Sequence, residues 1–219
     1  MPRINLMANY PRTNRDAFVA RSRKLTKEEI ATSKKFGKEY FDGDRNLGLG
    51  GYYYDPKFFR PVVKDMVSYY GLNSKSKILD VGCAKGFMMH DFLSEVSGIS
   101  VSGIDISEYC YKNAISSAKP FIVIGSCDNL PWPDNYFDLV VSIATIHNLD
   151  KKGVKKSLEE IVRVTKNDAF IKVNGYSNQE ELDRINGWNL VADTTLSQNE
   201  WLEVFKETNY NYDFDFFIP

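Results

Sequence analysis

Short apolar runs that end in an acidic residue or a glycine recur through the middle of the chain. The first lies in residues 77–87, KILDVGCAKGF, where Ile78, Leu79 and Val81 predict a buried parallel strand. The glycines that follow predict a tight turn, and residues 87–93 continue at helical spacing. Because open parallel sheets bind ligands at the carboxyl ends of their strands, beside such turns, we expect a ligand here.

Strands and helices keep alternating beyond this turn. Residues 100–107 predict a second strand that ends in Asp105, residues 121–149 a third and a fourth, and residues 153–173 a helix followed by a fifth strand. The apolar face of that helix consists of Val154, Leu158, Ile161 and Val162, and its solvent face of Lys155, Lys156, Glu159 and Glu160. We expect Asn167 to end the helix in a left-handed conformation. A helix over residues 197–208 and a strand over residues 212–218 complete an α/β fold.

The residue types in the first turn indicate which kind of ligand it can bind. Ala84 and Phe87 stand where a dinucleotide-binding turn has two of its glycines, so a pyrophosphate fits poorly. Asp80 lies at the strand tip, where a carboxylate repels a pyrophosphate and attracts a cation. The sequence therefore indicates a ligand that carries an amine or a sulfonium.

Four motifs in order resemble those of the class I S-adenosylmethionine-dependent methyltransferases. The family's Asp-x-Gly-x-Gly-x-Gly is Asp80, Gly82, Ala84 and Gly86 here, with one glycine replaced. Asp105, 19 residues beyond Gly86, can accept both ribose hydroxyls of the cofactor. The alternative is that Asp105 or Ser107 only caps a helix over residues 108–119.

The third motif, residues 125–132, resembles the run that folds around the adenine. Ser126 replaces the family's aspartate, and either Ser126 or Asp128 could accept the adenine amino group while the Cys127 N–H pairs with a ring nitrogen. The fourth motif is the helix and strand of residues 153–173.

The resemblance implies a doubly wound, mostly parallel, seven-stranded sheet of Rossmann-like type with a short C-terminal hairpin, and S-adenosylmethionine as the cofactor. Residues 61–219 would form the cofactor-binding domain, and residues 1–60 a helical extension and lid. The implied cofactor-binding residues are Asp80, Gly82, Cys83, Ala84, Gly86, Phe87, Asp105, Ile106, Ser126, Cys127, Asp128 and Ser142.

The N-terminal extension contains a predicted helix and a flexible aromatic segment. Thr26 and Glu29 are spaced as a capping box, which predicts a helix over residues 27–41. Residues 46–60, NLGLGGYYYDPKFFR, combine three glycines with aromatic residues, which suits a lid over the acceptor site. Tyr52 and Tyr53 are candidate catalytic residues that could hold a cationic amine by cation–π attraction. The alternative is that the tyrosines pack on the sheet edge or pair across a homodimer.

His147 follows the fourth strand directly, at the ligand-bearing end of the sheet. It is the candidate general base, because a methyl acceptor must lose a proton and imidazole can take it. Alternatively His147 only orients the substrate or caps the strand end.

Composition limits the remaining classes. The 219 residues, 43% hydrophobic, predict one domain without a membrane span or secretion signal, and hence a cytoplasmic protein. Three cysteines without metal-type spacing predict reduced thiols, and two histidines argue against a metal site. Residues 1–40 carry ten Lys or Arg against four Asp or Glu, and the remainder 18 against 25. This basic segment could contact nucleic acid or a phosphorylated substrate, but the acidic body of the same fold is the favoured partner.

We therefore expect a methyltransferase for a small polar acceptor. The favoured reaction is N-methylation of a phosphorylated amino alcohol, with the tyrosines at 52–54 near the amine and Lys57 and Arg60 near the phosphate. O-methylation of a sugar or a surface-glycan precursor is the alternative. Two alternatives belong to other functional classes: an NAD-dependent oxidoreductase, and a non-catalytic partner subunit that binds a cofactor.

Overall fold

The computed structural model describes residues 2–11 and 18–219, which contain a seven-stranded sheet with helices on both faces. The strands are β1 Lys77–Val81, β2 Ser100–Asp105, β3 Ile122–Ile124, β4 Phe137–Ile143, β5 Thr165–Tyr176, β6 Leu196–Ser197 and β7 Asp213–Phe217. The helices are α1 Lys27–Ser33, α2 Lys38–Asp42, α3 Pro56–Tyr69, α4 Phe87–Glu95, α5 Glu108–Lys112, α6 Lys151–Val164, α7 Gln179–Trp188 and α8 Gln198–Glu207. Short 3₁₀ turns cover Arg21–Lys24, Lys119–Phe121 and Ile146–Asn148.

The strands run in the order β3-β2-β1-β4-β5, and the far edge of β5 pairs with both β7 and β6. Each of these pairings is parallel, so the carboxyl ends of the strands meet at one edge of the sheet. The doubly wound, mostly parallel sheet predicted from the sequence is confirmed. The prediction of a C-terminal hairpin is wrong. Helix α8 connects β6 to β7 as a crossover, and β7 pairs with β5 in parallel.

Two apolar cores cover the two faces of the sheet. On one face, α6 and α8 bury Leu158, Ile161, Trp201 and Phe205 against the strands. On the other face, α3, α4 and the N-terminal residue Leu6 form the second core. Together the two cores leave the carboxyl edge of the sheet as the place for a ligand.

Three local predictions need correction. Glu160, predicted on the solvent face of α6, is buried at 7% exposure, because it accepts a hydrogen bond from Leu130 N and pairs with Arg163. Asn167 does not end a helix: the chain passes from α6 into β5 at Thr165. The helix predicted over residues 108–119 is only the short α5, which ends at Lys112 with Asn113 as its C-cap.

The N-terminal helix is divided. Thr26 and Glu29 form the predicted capping box at the start of α1, but the helix stops at Ser33 and resumes after Gly37. Phe36, between the two helices, has a left-handed φ of 49°. The domain boundary predicted at residue 60 falls inside α3. In the part of the chain that the structure describes, no helix is long and apolar enough to cross a membrane.

Candidate functional site

A cavity of about 420 Å³, here called the main cavity, opens at the carboxyl edge of the sheet. Its floor consists of residues that follow the strand ends, among them Gly82, Asp105, Ser126, Thr145 and His147. Its roof consists of residues from the N-terminal extension. This volume lies in the lower part of the range for small-molecule pockets.

The turn after β1 is held in a conformation that favours glycine. Gly82 has a φ of 83°, and a Cβ built there would lie 2.0 Å from Thr145 Oγ1. The N–H groups of Gly82 and Cys83 both donate to the carbonyl oxygen of Ile104. The turn is therefore fixed against β2 and closely packed under the loop after β4. Gly86, with a φ of 75°, precedes α4 at its N-cap.

Ala84 occupies the position of the replaced family glycine, and its φ of 47° is also left-handed. For a residue with a Cβ this conformation costs about 1–2 kcal/mol. The Ala84 N–H donates to Asp105 Oδ2 at 2.8 Å, which links the turn after β1 to the tip of β2. Both residues line the main cavity.

Asp105 lies beside the cap of α5, and Ser107 provides that cap. Asp105 Oδ1 accepts from Ser107 N at 2.8 Å, and the Ser107 hydroxyl caps α5 through Cys110 N. Burial raises the pKa of Asp105 above its usual value, while the hydrogen bonds from Ser107 and Ala84 act in the opposite direction. With one backbone donor on each oxygen, the carboxylate retains lone pairs for two further donors from the cavity.

Asp80 lies at the end of β1, buried at 6% exposure, and is not among the residues that line the main cavity. Burial, with a further contribution from the charge of Asp105, raises the pKa of Asp80 to about 8. The carboxyl group is therefore largely protonated at pH 7 until a cation approaches it.

The loop after β3 brings two of its three candidate residues to the cavity. Ser126 and Cys127 line the main cavity, whereas Asp128 does not. The Cys127 thiol is buried and accepts the Ser157 hydroxyl at 3.3 Å. Of the two alternatives for an amino-group acceptor, Ser126 is therefore the one that the fold places at the cavity.

The same loop is fastened to α6. Arg163 donates to the carbonyl oxygens of Leu130 and Trp132 at 2.9 and 2.7 Å, and Glu160 accepts from Leu130 N at 2.8 Å. Hydrogen bonds from Arg163 are the largest cause of the lowered pKa of Glu160, so the pair stays charged.

His147 lies in the 3₁₀ turn after β4 and lines the main cavity, buried at 4% exposure. Burial lowers its pKa to about 4, so the imidazole is neutral at physiological pH. Among the described residues, Nδ1 has no hydrogen-bond partner. A neutral ring nitrogen without a partner can accept a hydrogen bond from a bound molecule, and its low pKa makes it a weak proton acceptor.

Other polar atoms near His147 also lack partners among the described residues. They are Oδ1 of Asn148 and Nδ2 of Asn189, from two residues that line the main cavity, and the hydroxyl of Ser142, which lies inside β4 and does not line it. Buried polar groups are normally hydrogen-bonded, so the two asparagines indicate where ligand groups would bind.

The roof of the main cavity is aromatic. Phe36, Tyr40, Phe41 and Tyr52 line it, and the ring of Tyr52 packs 4.8 Å from that of Phe87. A hydrogen bond joins the N-terminal extension to the residues after β2: Ser107 Oγ donates to the Phe36 carbonyl oxygen at 2.6 Å.

Asp42, at the end of α2, connects the roof to the body of the fold. Its Oδ2 accepts from Lys85 Nζ and from Tyr109 Oη, each at 2.6 Å, and its Oδ1 accepts from Tyr52 N at 2.8 Å. Burial alone would raise the pKa of Asp42, but the hydrogen bonds from Lys85 and Tyr109 outweigh it and hold the pKa below its usual value. We call these four residues the Asp42 network. It closes the roof over the turn after β1.

Other aromatic and basic residues of the lid segment point elsewhere. Tyr53 is 75% exposed, and Tyr54 donates to Asp91 at 2.6 Å and does not line the main cavity. Of the two candidate catalytic tyrosines, only Tyr52 therefore reaches the site. Lys57 pairs with Asp55 and Arg60 lies near Glu95, both outside the cavity. The phosphate contact predicted for these two basic residues is wrong.

Sequence reasoning did not identify the cavity-lining residues that come from β5 and from the end of α7; these form the wall described next. The residues of this wall are Lys172 and Asn174 on β5, Trp188 at the end of α7, and Leu190 and Val191 after it. Residues 188–191 form a continuous part of this wall. The lysine could have been noticed, because a single charge interrupts the apolar run of β5.

Comparison with known proteins gives a consistent family. Residues 79–173 match the family model described as a methyltransferase domain. YdaC, an uncharacterized methyltransferase of Bacillus subtilis, is 32% identical over 95 residues, 41% of this chain and 52% of that protein. The mitochondrial arginine-hydroxylase NDUFAF5 of Rattus norvegicus is 34% identical over 91 residues, 41% of this chain and 26% of that protein. The chain thus spans between about a quarter and about half of the length of these relatives.

A solved structure has the same fold. The YcgJ protein of Bacillus subtilis superimposes with a TM-score of 0.56 at 21% identity, covering 67% of this chain and 66% of that chain. At this identity the likeness concerns the fold.

Proposed function

We propose that this chain, which belongs to the class I S-adenosylmethionine-dependent methyltransferases, methylates a small acceptor inside the main cavity. The observation that carries the proposal is that two different sets of residues line one cavity. Asp105 and the turn after β1 form one set, and His147, Asn148 and Asn189 form the other. We call these the cofactor end and the acceptor end.

The residues of the cofactor end fit S-adenosylmethionine. Asp105 retains lone pairs for the ribose hydroxyls. We assign the adenine edge to Ser126 and the Cys127 N–H, because both residues line the main cavity. Asp80 would face the cationic amino-acid portion through the turn. When bound, the cofactor supplies an electrophilic methyl group, which needs a nucleophile held in line with it.

At the acceptor end, we propose that His147 orients the nucleophile by accepting its hydrogen bond. A base whose pKa is about 4 holds a proton weakly at pH 7, so the structure favours orientation over general-base catalysis. Tyr52 shapes the roof and excludes water, and its phenol stays neutral because burial raises its pKa.

The cavity volume of about 420 Å³ favours a small acceptor over a macromolecule. N-methylation of a phosphorylated amino alcohol loses part of its support, since Lys57 and Arg60 lie outside the cavity. The choice between a nitrogen and an oxygen nucleophile, the homodimer and the cytoplasmic location stay predictions.

Calorimetry with S-adenosylhomocysteine, the demethylated product, tests the proposal. We expect measurable binding, and Asp105→Ala should weaken it by about 1.5–3 kcal/mol through loss of hydrogen bonds to a charged group. Asp128→Ala is the matched control and should bind normally, because Asp128 does not line the cavity. Tight binding of NAD with none of S-adenosylhomocysteine would refute the proposal.

A further inference from the structure

A second cavity of about 510 Å³ adjoins the acceptor end of the main cavity. It shares three lining residues with the main cavity, namely Tyr10, Lys172 and Phe217. We call it the side groove. Its other lining residues include Arg3, Asn5 and Asp215. Nothing in the proposed methyl transfer uses this groove.

Lys172 lies at the junction of the two spaces and its side chain is 13% exposed. In the sheet it pairs with Ile143 at the tip of β4, and its carbonyl oxygen accepts from Ala144 N at 2.8 Å. The lysine is therefore placed next to the turn that carries His147. Among the described residues that line the main cavity, Lys172 is the one cationic side chain.

The charge at the junction does not cancel. Asp215, directly opposite Lys172 on β7, forms an ion pair with Lys172 through Oδ2 and with Arg3 through Oδ1 at 3.2 Å. One carboxylate thus faces two cations, so the described residues leave one positive charge. Asp213, two residues earlier on β7, accepts from Tyr70 at 2.9 Å and lines neither space.

The geometry leaves Lys172 able to bind a ligand. An ammonium group has three N–H donors, and Asp215 uses one of them. Arg3 is held in place because backbone hydrogen bonds join Ile4 N to Phe214 O and Phe214 N to Pro2 O. The cation pair is therefore anchored by the sheet.

We propose that the acceptor is an amphiphilic anion whose carboxylate or phosphate binds Lys172 and Arg3 at the mouth of the side groove. The apolar body of the acceptor would pack in the main cavity against Leu190 and Val191. This assignment rests on the proposed function. The anion contact predicted from the sequence for Lys57 and Arg60 is thereby assigned to a different pair of cations.

The test uses protein saturated with S-adenosylhomocysteine and three probes of similar size: phenylacetate, phenyl phosphate and neutral phenylacetamide. Calorimetry should give at least about tenfold tighter binding for one anion than for the amide, and Lys172→Met should remove that advantage. Tighter binding of phenylacetate would identify the acceptor's anionic group as a carboxylate, and tighter binding of phenyl phosphate would identify it as a phosphate.

Two further variants keep the result interpretable. Lys166→Met is the matched control, because Lys166 lies on the same strand but pairs with Asp138 outside both spaces. Arg3→Gln changes a half-exposed side chain and should weaken anion binding without disturbing the core. Equal affinity for all three probes, no binding of either anion, or unchanged anion binding in Lys172→Met would overturn the anchor. Failure to bind S-adenosylhomocysteine would instead overturn the methyltransferase proposal.

Discussion

The cofactor end and the acceptor end of the main cavity differ in which groups form them: backbone groups at one, side chains at the other. The cofactor end is made of backbone: left-handed φ angles at Gly82 and Ala84, and N–H groups that already bond to Ile104 and Asp105. The acceptor end is made of side chains, several of which have unpartnered polar atoms among the described residues, such as Nδ1 of His147. A completed backbone cradle suits a constant ligand, whereas unpartnered side chains suit a group that differs between relatives.

The largest effect is expected where the two ends touch. Gly82→Ala would place a methyl group 2.0 Å from Thr145 Oγ1 at a φ of 83°, so we expect a loss of about 3 kcal/mol in the free energy of unfolding. Gly71→Ala is the control, because Gly71 has a φ of 62° but no atom within 4 Å of the added Cβ, and should lose about 1–2 kcal/mol. Equal losses in urea unfolding would show that backbone strain alone matters.

The turn after β1 and the position of Asp105 could be predicted from sequence because their contacts are local. Gly82, Ala84 and Gly86 lie in one turn, and Asp105 follows the next strand. His147 and Tyr52 could also be proposed from sequence, but Tyr10, Phe36 and Trp188 could not, because these cavity-lining residues come from distant parts of the chain.

The other wrong predictions have the same physical cause. Helical periodicity placed Glu160 toward solvent, but its burial depends on Leu130, which lies 30 residues away in sequence. A capping box fixed the start of α1, but the break at Phe36 depends on a hydrogen bond from Ser107. In both cases a long-range partner outweighs a local preference.

A second prediction separates the two roles of His147. If His147 orients the acceptor, His147→Ala should lower the single-turnover rate about tenfold, and His147→Gln, which retains a hydrogen-bond acceptor, should recover most of it. A general base would instead give a loss of about 10²–10⁴-fold in both variants. Binding of S-adenosylhomocysteine should be unchanged in each.

The pH dependence provides an independent check on His147. Its pKa is about 4 in the folded state and about 6.5 when unperturbed, so the imidazole takes up a proton on unfolding between these values. The stability associated with the neutral ring is present above about pH 6.5 and is lost as the pH falls toward 4. His147→Gln should therefore unfold less readily in acid, relative to its own stability at pH 7. A rate limb near pH 6.5 that the variant lacks would contradict the buried, neutral imidazole.

A third prediction concerns the cofactor end. Asp80 has a pKa of about 8 and lies just behind the cavity lining. If the ligand cation acts on it across the turn after β1, the carboxylate is favoured, and binding S-adenosylhomocysteine at pH 7 should release a net fraction of a proton. Calorimetry in two buffers of different ionisation enthalpy measures this number, and Asp80→Asn should abolish it. Because the folded state holds the proton more tightly, the stability contributed by Asp80 is lost as the pH rises from about 3.8 through 8. Proton release that persists in Asp80→Asn would assign the linkage to another group.

The smallest effect is expected at the roof, which joins the two ends. Tyr109→Phe removes one hydrogen bond to Asp42 and leaves those from Lys85 and Tyr52 N, so the Asp42 network should weaken by about 1 kcal/mol. Amide exchange in residues 43–55 of the protein without ligand should then accelerate about fivefold, since local opening sets the rate. Tyr111→Phe, on the same helix, changes a ring that packs near Lys119 and is the matched control. S-adenosylhomocysteine should slow exchange of the same segment in the wild type. If Tyr109→Phe and Tyr111→Phe exchange alike, the roof is held by aromatic packing such as Tyr52 on Phe87 and the Asp42 network does not control its opening.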